Sequence, residues 1–159
     1  MEPKALEVWG RAVVERAAEV ILAAIPPEQN PETGSTGRAI SAGPGYVSRY
    51  VHFRRPDYPA QRAVWLFVVP SDHPYNFSGP VPRAGAGLMQ DPDTELDESR
   101  FAAGLTRSGA FTWRRHNDTR YAGYRLLIDV EPDIDAPGKI GSELAAAVLH
   151  GLRRAGLIR

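Results

Sequence analysis

The stretch from Ala63 to Val69, AVWLFVV, is apolar at every position, and it limits what this chain can fold into more than any other segment. A strand with one wet face alternates apolar and polar residues. An unbroken run of this length, closed by Pro70, belongs to a strand covered on both faces. The chain therefore needs a central strand with other strands beside it and further elements laid over it.

The flanking patterns say what those elements are. Pro3 to Ile25 predicts a helix, because Leu6, Trp9, Val13, Ala17, Val20 and Ala24 recur at spacings of three and four while Arg11, Glu15 and Glu19 lie off that stripe. Pro26 and Pro27 stop it, since proline lacks the amide donor and disfavours helix in the residue before it. Glu28 to Gly45 is a connection rich in Gly, Pro and Ser, with a short strand expected over Arg38 to Ser41. Tyr46 to Arg55 alternates as a strand should. Val47, Val51 and Phe53 share one face, interrupted by Arg49, and Tyr46, Ser48, Tyr50, His52 and Arg54 share the other. Arg55 to Pro59 is turn chemistry.

Beyond the central strand, Asp72 to Gly87 predicts a loop and Thr94 to Leu105 a short helix capped by Asp93 or Thr94. Ala110 to Val130 predicts a hairpin turning at Asn117-Asp118-Thr119. Phe111 and Trp113 should share a face with Tyr124, Leu126 and Ile128, because a one-residue slip would carry the tryptophan to the opposite side. The other face then holds Thr112, Arg114, His116, Tyr121, Arg125 and Asp129. A last helix follows, with Asp135 expected as its cap and Pro137 in its first turn. Ile140, Leu144, Val148, Leu152 and Ala155 form its stripe, and Gly156-Leu157 fits a left-handed stop. The expected fold is α+β. A mostly antiparallel sheet of four to five strands is flanked by N-terminal and C-terminal helices in two or three layers, as one domain over 1–159.

No cysteine occurs, which removes disulfides, thiolate metal sites and cysteine nucleophiles and is compatible with a reducing compartment. The first residues lack a basic head followed by an apolar segment, and no apolar run approaches a membrane span. A soluble, cytoplasmic protein with no membrane association is expected. Net charge is zero, which argues against a nucleic-acid binder working by bulk charge. The charge is nevertheless segregated. Residues 34–90 carry six arginines and two aspartates, residues 91–98 five acids and no base, residues 99–128 six arginines and one aspartate, and residues 129–135 four acids. Arginine outnumbers lysine 17 to 2, so the basic segments carry planar forks suited to two-pronged grip on carboxylate or phosphate.

The leading candidate site is an arginine and aromatic sheet face: Tyr50, His52 and Arg54 on one strand, and Arg114, His116, Tyr121 and Arg125 on the hairpin. A weaker set is the acidic alternation Asp129, Glu131, Asp133, Asp135, which in an extended chain would project carboxylates to one side for a hard cation. Pro132 and Pro137 break that extension. Ser71-Asp72-His73 ends the central strand, yet neighbours on an extended chain point apart and cannot form a relay among themselves. His73 would need a distant partner such as Asp129 or Glu131 to act as a general base. Asp91 to Ala102 superficially resembles a calcium loop but has Leu96 where glycine is needed and Ala102 where glutamate is needed. Gly34-Ser-Thr-Gly37 lacks the lysine of a phosphate loop. His52, His116 and His150 have no metal-ligand spacing.

Three functions follow, in order. The first is a non-enzymatic binding or adaptor protein engaging an acidic protein or other anionic partner, with homodimerisation through a sheet edge or the helices as an accompanying expectation. The second is an enzyme on a phosphate-bearing substrate, with His73, Asp129 and Glu131 as acid–base or metal residues and Arg114 or Arg125 holding phosphate. The third is a single-stranded nucleic-acid-binding module. No cofactor and no resident metal are expected.

Overall fold

Two prolines mark where the helices begin. Helix α1 spans Pro3–Ala24 and helix α2 spans Pro137–Arg154, each with proline in its first turn, where a missing amide costs nothing. The computed structural model describes residues 2–31, 38–55, 58–70, 83–89, 112–115, 121–129 and 136–159. α1 ends where expected, with Ile25 thrown into an extended conformation (φ −70°, ψ 132°) ahead of Pro26. α2 ends in a Schellman motif: Gly156 adopts φ +71°, the Leu157 amide donates to the Leu152 carbonyl (2.9 Å), and the Gly156 amide donates to the Arg153 carbonyl (3.0 Å). Ala136 occupies the N-cap and makes no side-chain capping bond, and Asp135, the expected cap, lies outside the described residues.

The strands are β1 (Ile40–Gly43), β2 (Tyr46–Arg55), β3 (Tyr58–Val69), β4 (Arg83–Met89), β5 (Thr112–Arg115) and β6 (Tyr121–Asp129). They form one sheet in the order β1-β2-β3-β4-β6-β5, with every pair antiparallel. The α+β layout, with terminal helices flanking an antiparallel sheet, is thus present, and β3 lies in the interior of the sheet as the apolar run requires.

The expectation of a loop over 72–87 fails at its far end, where β4 begins at Arg83. Its sequence, RAGAGLM, is poor in strand-favouring residues, which hides the signal. Its alternation is in volume instead. Ala84, Ala86 and Leu88 pair with Val68, Leu66 and Val64, while Gly85 and Gly87 pair with Phe67 and Trp65. Glycine thus stands directly opposite the Trp65 and Phe67 positions of β3. The expected helix over 94–105 and the hairpin turn at 117–119 lie outside the described residues.

α1 and α2 pack side by side on one face of the sheet, α1 over β2 and β3 and α2 against β4. The core beneath them gathers Leu6, Trp9, Val13, Ala17 and Ile21 of α1, Leu144, Val148 and Leu152 of α2, and Val47, Val51, Phe53, Val64, Leu66 and Val68 of the sheet. The buried stripe of α1 includes Val14, Ala18 and Ile21, and Val20 and Ala24 are only half-buried. The helix is thus rolled slightly away from the stripe that spacing alone selects. Arg49 is 4% exposed on the helix side, where its Nη1 donates to the Tyr50 carbonyl oxygen.

Small residues set the distance between these layers. A Cβ on Gly10 would sit 3.0 Å from Val68 Cβ. A Cβ on Gly141 would sit 2.6 Å from the Val13 carbonyl oxygen and 2.8 Å from Arg16 Cβ, so the backbone of α2 lies directly against the backbone of α1 there. Gly138, one turn earlier, has nothing within 4 Å. The two glycines should therefore respond oppositely to alanine. Gly138→Ala should raise stability by a few tenths of a kcal/mol to about 1 kcal/mol through helix propensity alone. Gly141→Ala must push the helices apart, an overpacking cost of about 1–3 kcal/mol that exceeds the same propensity gain. Urea midpoints of the two variants check this. Equal shifts of one sign would refute the close helix approach.

Candidate functional site

In an antiparallel sheet, residues directly opposite one another share a face, so register decides which sequence-predicted residues come together. Tyr50 pairs with Trp65, Trp65 with Gly87, Gly87 with Arg125, and Arg125 with Arg114. These five positions form a single row across β2, β3, β4, β6 and β5, spanning roughly 19 Å at about 4.8 Å per strand interval. His52 pairs with Ala63 and Arg54 with Gln61, two and four positions along β2 from Tyr50 and therefore on the same face. This face is opposite to the one that α1 and α2 cover, because the alternate residues Val51, Val64, Leu66 and Leu88 belong to the helix-side core.

The floor of this second face is sealed. Trp65, Phe67 and Val69 are all 0% exposed and form their own cluster, with Tyr46 and Tyr50 packed against it. The Trp65 and Phe67 ring centroids are 4.2 Å apart, tilted by 30°. Tyr50 and His52 are half-buried and Arg54 is exposed, so the polar ends of the β2 residues lie at the margin of this cluster. Residues 71–82 and 90–111 lie outside the described residues.

On the hairpin, Trp113 pairs with Leu126, and Ile128 pairs with Ala84, so by register positions 113, 126 and 128 share a face, as expected, while Phe111 lies outside the described residues. Thr112 pairs with Leu127 and Arg115 with Tyr124. Tyr121 pairs with Met89 beyond a break in register between Gly87 and Met89, so it stands outside the row. Asp129 closes β6 in register with Arg83, and Asp133 and Asp135 lie outside the described residues. His73, His116 and Glu131 lie outside the described residues. Among the described residues, no group of three His, Asp or Glu gathers to hold a metal ion, and no helix is long and apolar enough to cross a membrane.

Three further residues act where composition gave no hint. Glu7, Arg11 and Glu15 repeat at four-residue spacing along α1 and hold the backbone around β1. Arg11 Nη1 donates to the Ala39 carbonyl (2.5 Å), the Ala39 amide donates to Glu15 Oε1, and the Gly45 amide donates to Glu7 Oε1 (3.1 Å). The i, i+4, i+8 spacing was visible in the sequence. Its target was not, because it depends on how α1 lies along the sheet. Comparison with family models, with curated proteins and with solved structures gives no match.

Proposed function

We propose that this is a non-enzymatic binding or adaptor protein that engages an acidic protein surface through the sheet face opposite its helices. The row Tyr50–Trp65–Gly87–Arg125–Arg114 supports this reading above all else. Arg114 and Arg125 are direct cross-strand partners, and like charges so placed destabilise a strand pair. A carboxylate partner removes that penalty and gains charge-assisted bonds to planar forks. Aromatic residues and arginine are also the residue types that anchor interfaces. Tyr50, His52 and Arg54 extend the surface along β2, and His116 and Tyr121 belong to the same proposed set. Zero net charge favours a carboxylate-bearing protein over a nucleic acid, which would draw on bulk positive charge. Cytoplasmic residence belongs to the same reading, and the absence of cysteine is compatible with it.

Labelled poly-L-glutamate is a suitable probe. The intact protein should bind it, and the double variant Arg114→Ala with Arg125→Ala should bind at least ~10-fold more weakly, since each charged hydrogen bond is worth about 1.5–3 kcal/mol. The thermal midpoint should stay within a few degrees of the parent's. Unchanged binding in the double variant removes the proposal. Tighter binding to single-stranded DNA, falling steeply with salt, would replace it with the nucleic-acid reading.

A further inference from the structure

β1 and its neighbour β2 are held in place by different forces. Val47, Val51 and Phe53 of β2 are all 0% exposed and belong to the core under the helices. β1 has four residues, and its register with β2 shifts between Ser41 and Gly43. Ile40 is 51% exposed, and Arg38, Ser41 and Pro44 are exposed beside it. Ala39, just ahead of the strand and 4% exposed, joins the core. Burial of apolar surface therefore does little to keep this segment down.

Polar contacts from α1 hold it at both ends. Ahead of the strand, Arg11 donates to the Ala39 carbonyl and the Ala39 amide donates to Glu15. After it, the Gly45 amide donates to Glu7. The geometry explains the spacing. Eight residues of helix from Glu7 to Glu15 rise about 12 Å, and four residues of strand span about 13 Å. One line of side chains at i, i+4 and i+8 thus reaches both ends of β1. A segment with little burial, tied by a few bonds at its margins, opens at a lower free energy than the core beside it. We propose that residues 39–45 form a strap that opens as one unit while the rest of the sheet stays folded. Glu7, Arg11 and Glu15 are the latch that sets how often it opens. Ile40 pairs with Ser48 and Ser41 with Val47, so opening takes the strand partner from the first residues of β2. The latch thereby governs when that stretch of strand edge is bared.

Amide hydrogen exchange of the full chain, followed residue by residue by NMR, tests this. The Ala39 and Gly45 amides report the two ends of the strap. The Leu66 amide reports global unfolding, because β3 has a strand on each side. In the parent, protection at Ala39 and Gly45 should be at least ~100-fold lower than at Leu66, and should fall less steeply with urea. Glu7→Ala removes the acceptor at Gly45 alone. It should nevertheless lower protection at Ala39 about tenfold or more relative to Leu66, because a charged hydrogen bond lost from either end favours the shared opening. Glu15→Ala should do the same to Gly45. Glu7→Gln keeps an acceptor oxygen and should restore most of the protection at Ala39. Independent contacts behave otherwise: each alanine variant then exposes its own amide and leaves the far one unchanged, and that result overturns the strap. Parent exchange at Ala39 and Gly45 with the protection and urea slope of Leu66 overturns it as well, since the segment would then open only with the whole fold.

Discussion

Gln29→Ala should lower the unfolding free energy by about 3 kcal/mol or more, since each stranded buried polar group costs about 1–3 kcal/mol. Gln29 is 1% exposed in the 3-10 turn Pro27–Gln29 that follows α1. Its Nε2 donates to the Arg54 carbonyl (2.7 Å) and the Leu157 carbonyl (3.0 Å), and its Oε1 accepts from the Arg159 amide (3.0 Å). One amide thus ties the turn, the end of β2 and the chain after α2, where Leu157 and Ile158 are buried. Alanine leaves two carbonyls and one amide to find other partners. Gln29→Glu should cost at least as much, because it sets a carboxylate oxygen against two carbonyl oxygens. The neighbouring pair is the control: Arg159 to Glu28 at 3.4 Å is mostly exposed, and Glu28→Ala should cost under ~1 kcal/mol. Urea unfolding at unchanged slope measures all three. A loss below about 1 kcal/mol for Gln29→Ala would show that the three elements are held by packing alone.

Nothing in the sequence singles out Gln29, since its partners are backbone groups 25 to 130 residues away. Features written in local periodicity were legible: the span of α1, the alternation of Tyr46–Arg55, the interior position of Ala63–Val69, the Gly156 stop and the shared face of positions 113 and 126. β4 was not, because glycine and alanine carry little strand preference and make sense there only beside Trp65 and Phe67 on the next strand. The candidate site shows the same division. That Arg114 and Arg125 belong to one hairpin face follows from alternation. That Tyr50 joins them through Trp65 and Gly87 depends on β4 standing between β3 and β6, which no spacing within the chain expresses.

Trp65→Ala should cost about 3–5 kcal/mol, and its meaning lies in comparison with its neighbour. Leu66 faces the helices, is 0% exposed, and should cost about 2–5 kcal/mol on truncation to alanine. In a strand with one covered face, consecutive residues alternate between large and small losses, because every second side chain already lies in water and its removal shifts stability by about 0.5 kcal/mol or less. In a strand covered on both faces the alternation vanishes. Trp65 is 0% exposed on the side away from α1 and α2, stacked near Phe67 and in register between Tyr50 and Gly87, so consecutive large losses are expected at 65, 66, 67 and 68. Trp65→Phe, a smaller change costing about 1–2 kcal/mol, keeps the series measurable if the alanine variant does not fold. A loss below about 1 kcal/mol at Trp65 with a full loss at Leu66 would mean that the second face is open. The rings there would then be available for stacking on a ligand, and the arginine row would border an aromatic platform in place of a sealed floor. The expected result instead makes Trp65, Phe67 and Val69 a rigid base, and the proposed recognition of a carboxylate-bearing partner then falls to the charged residues around it.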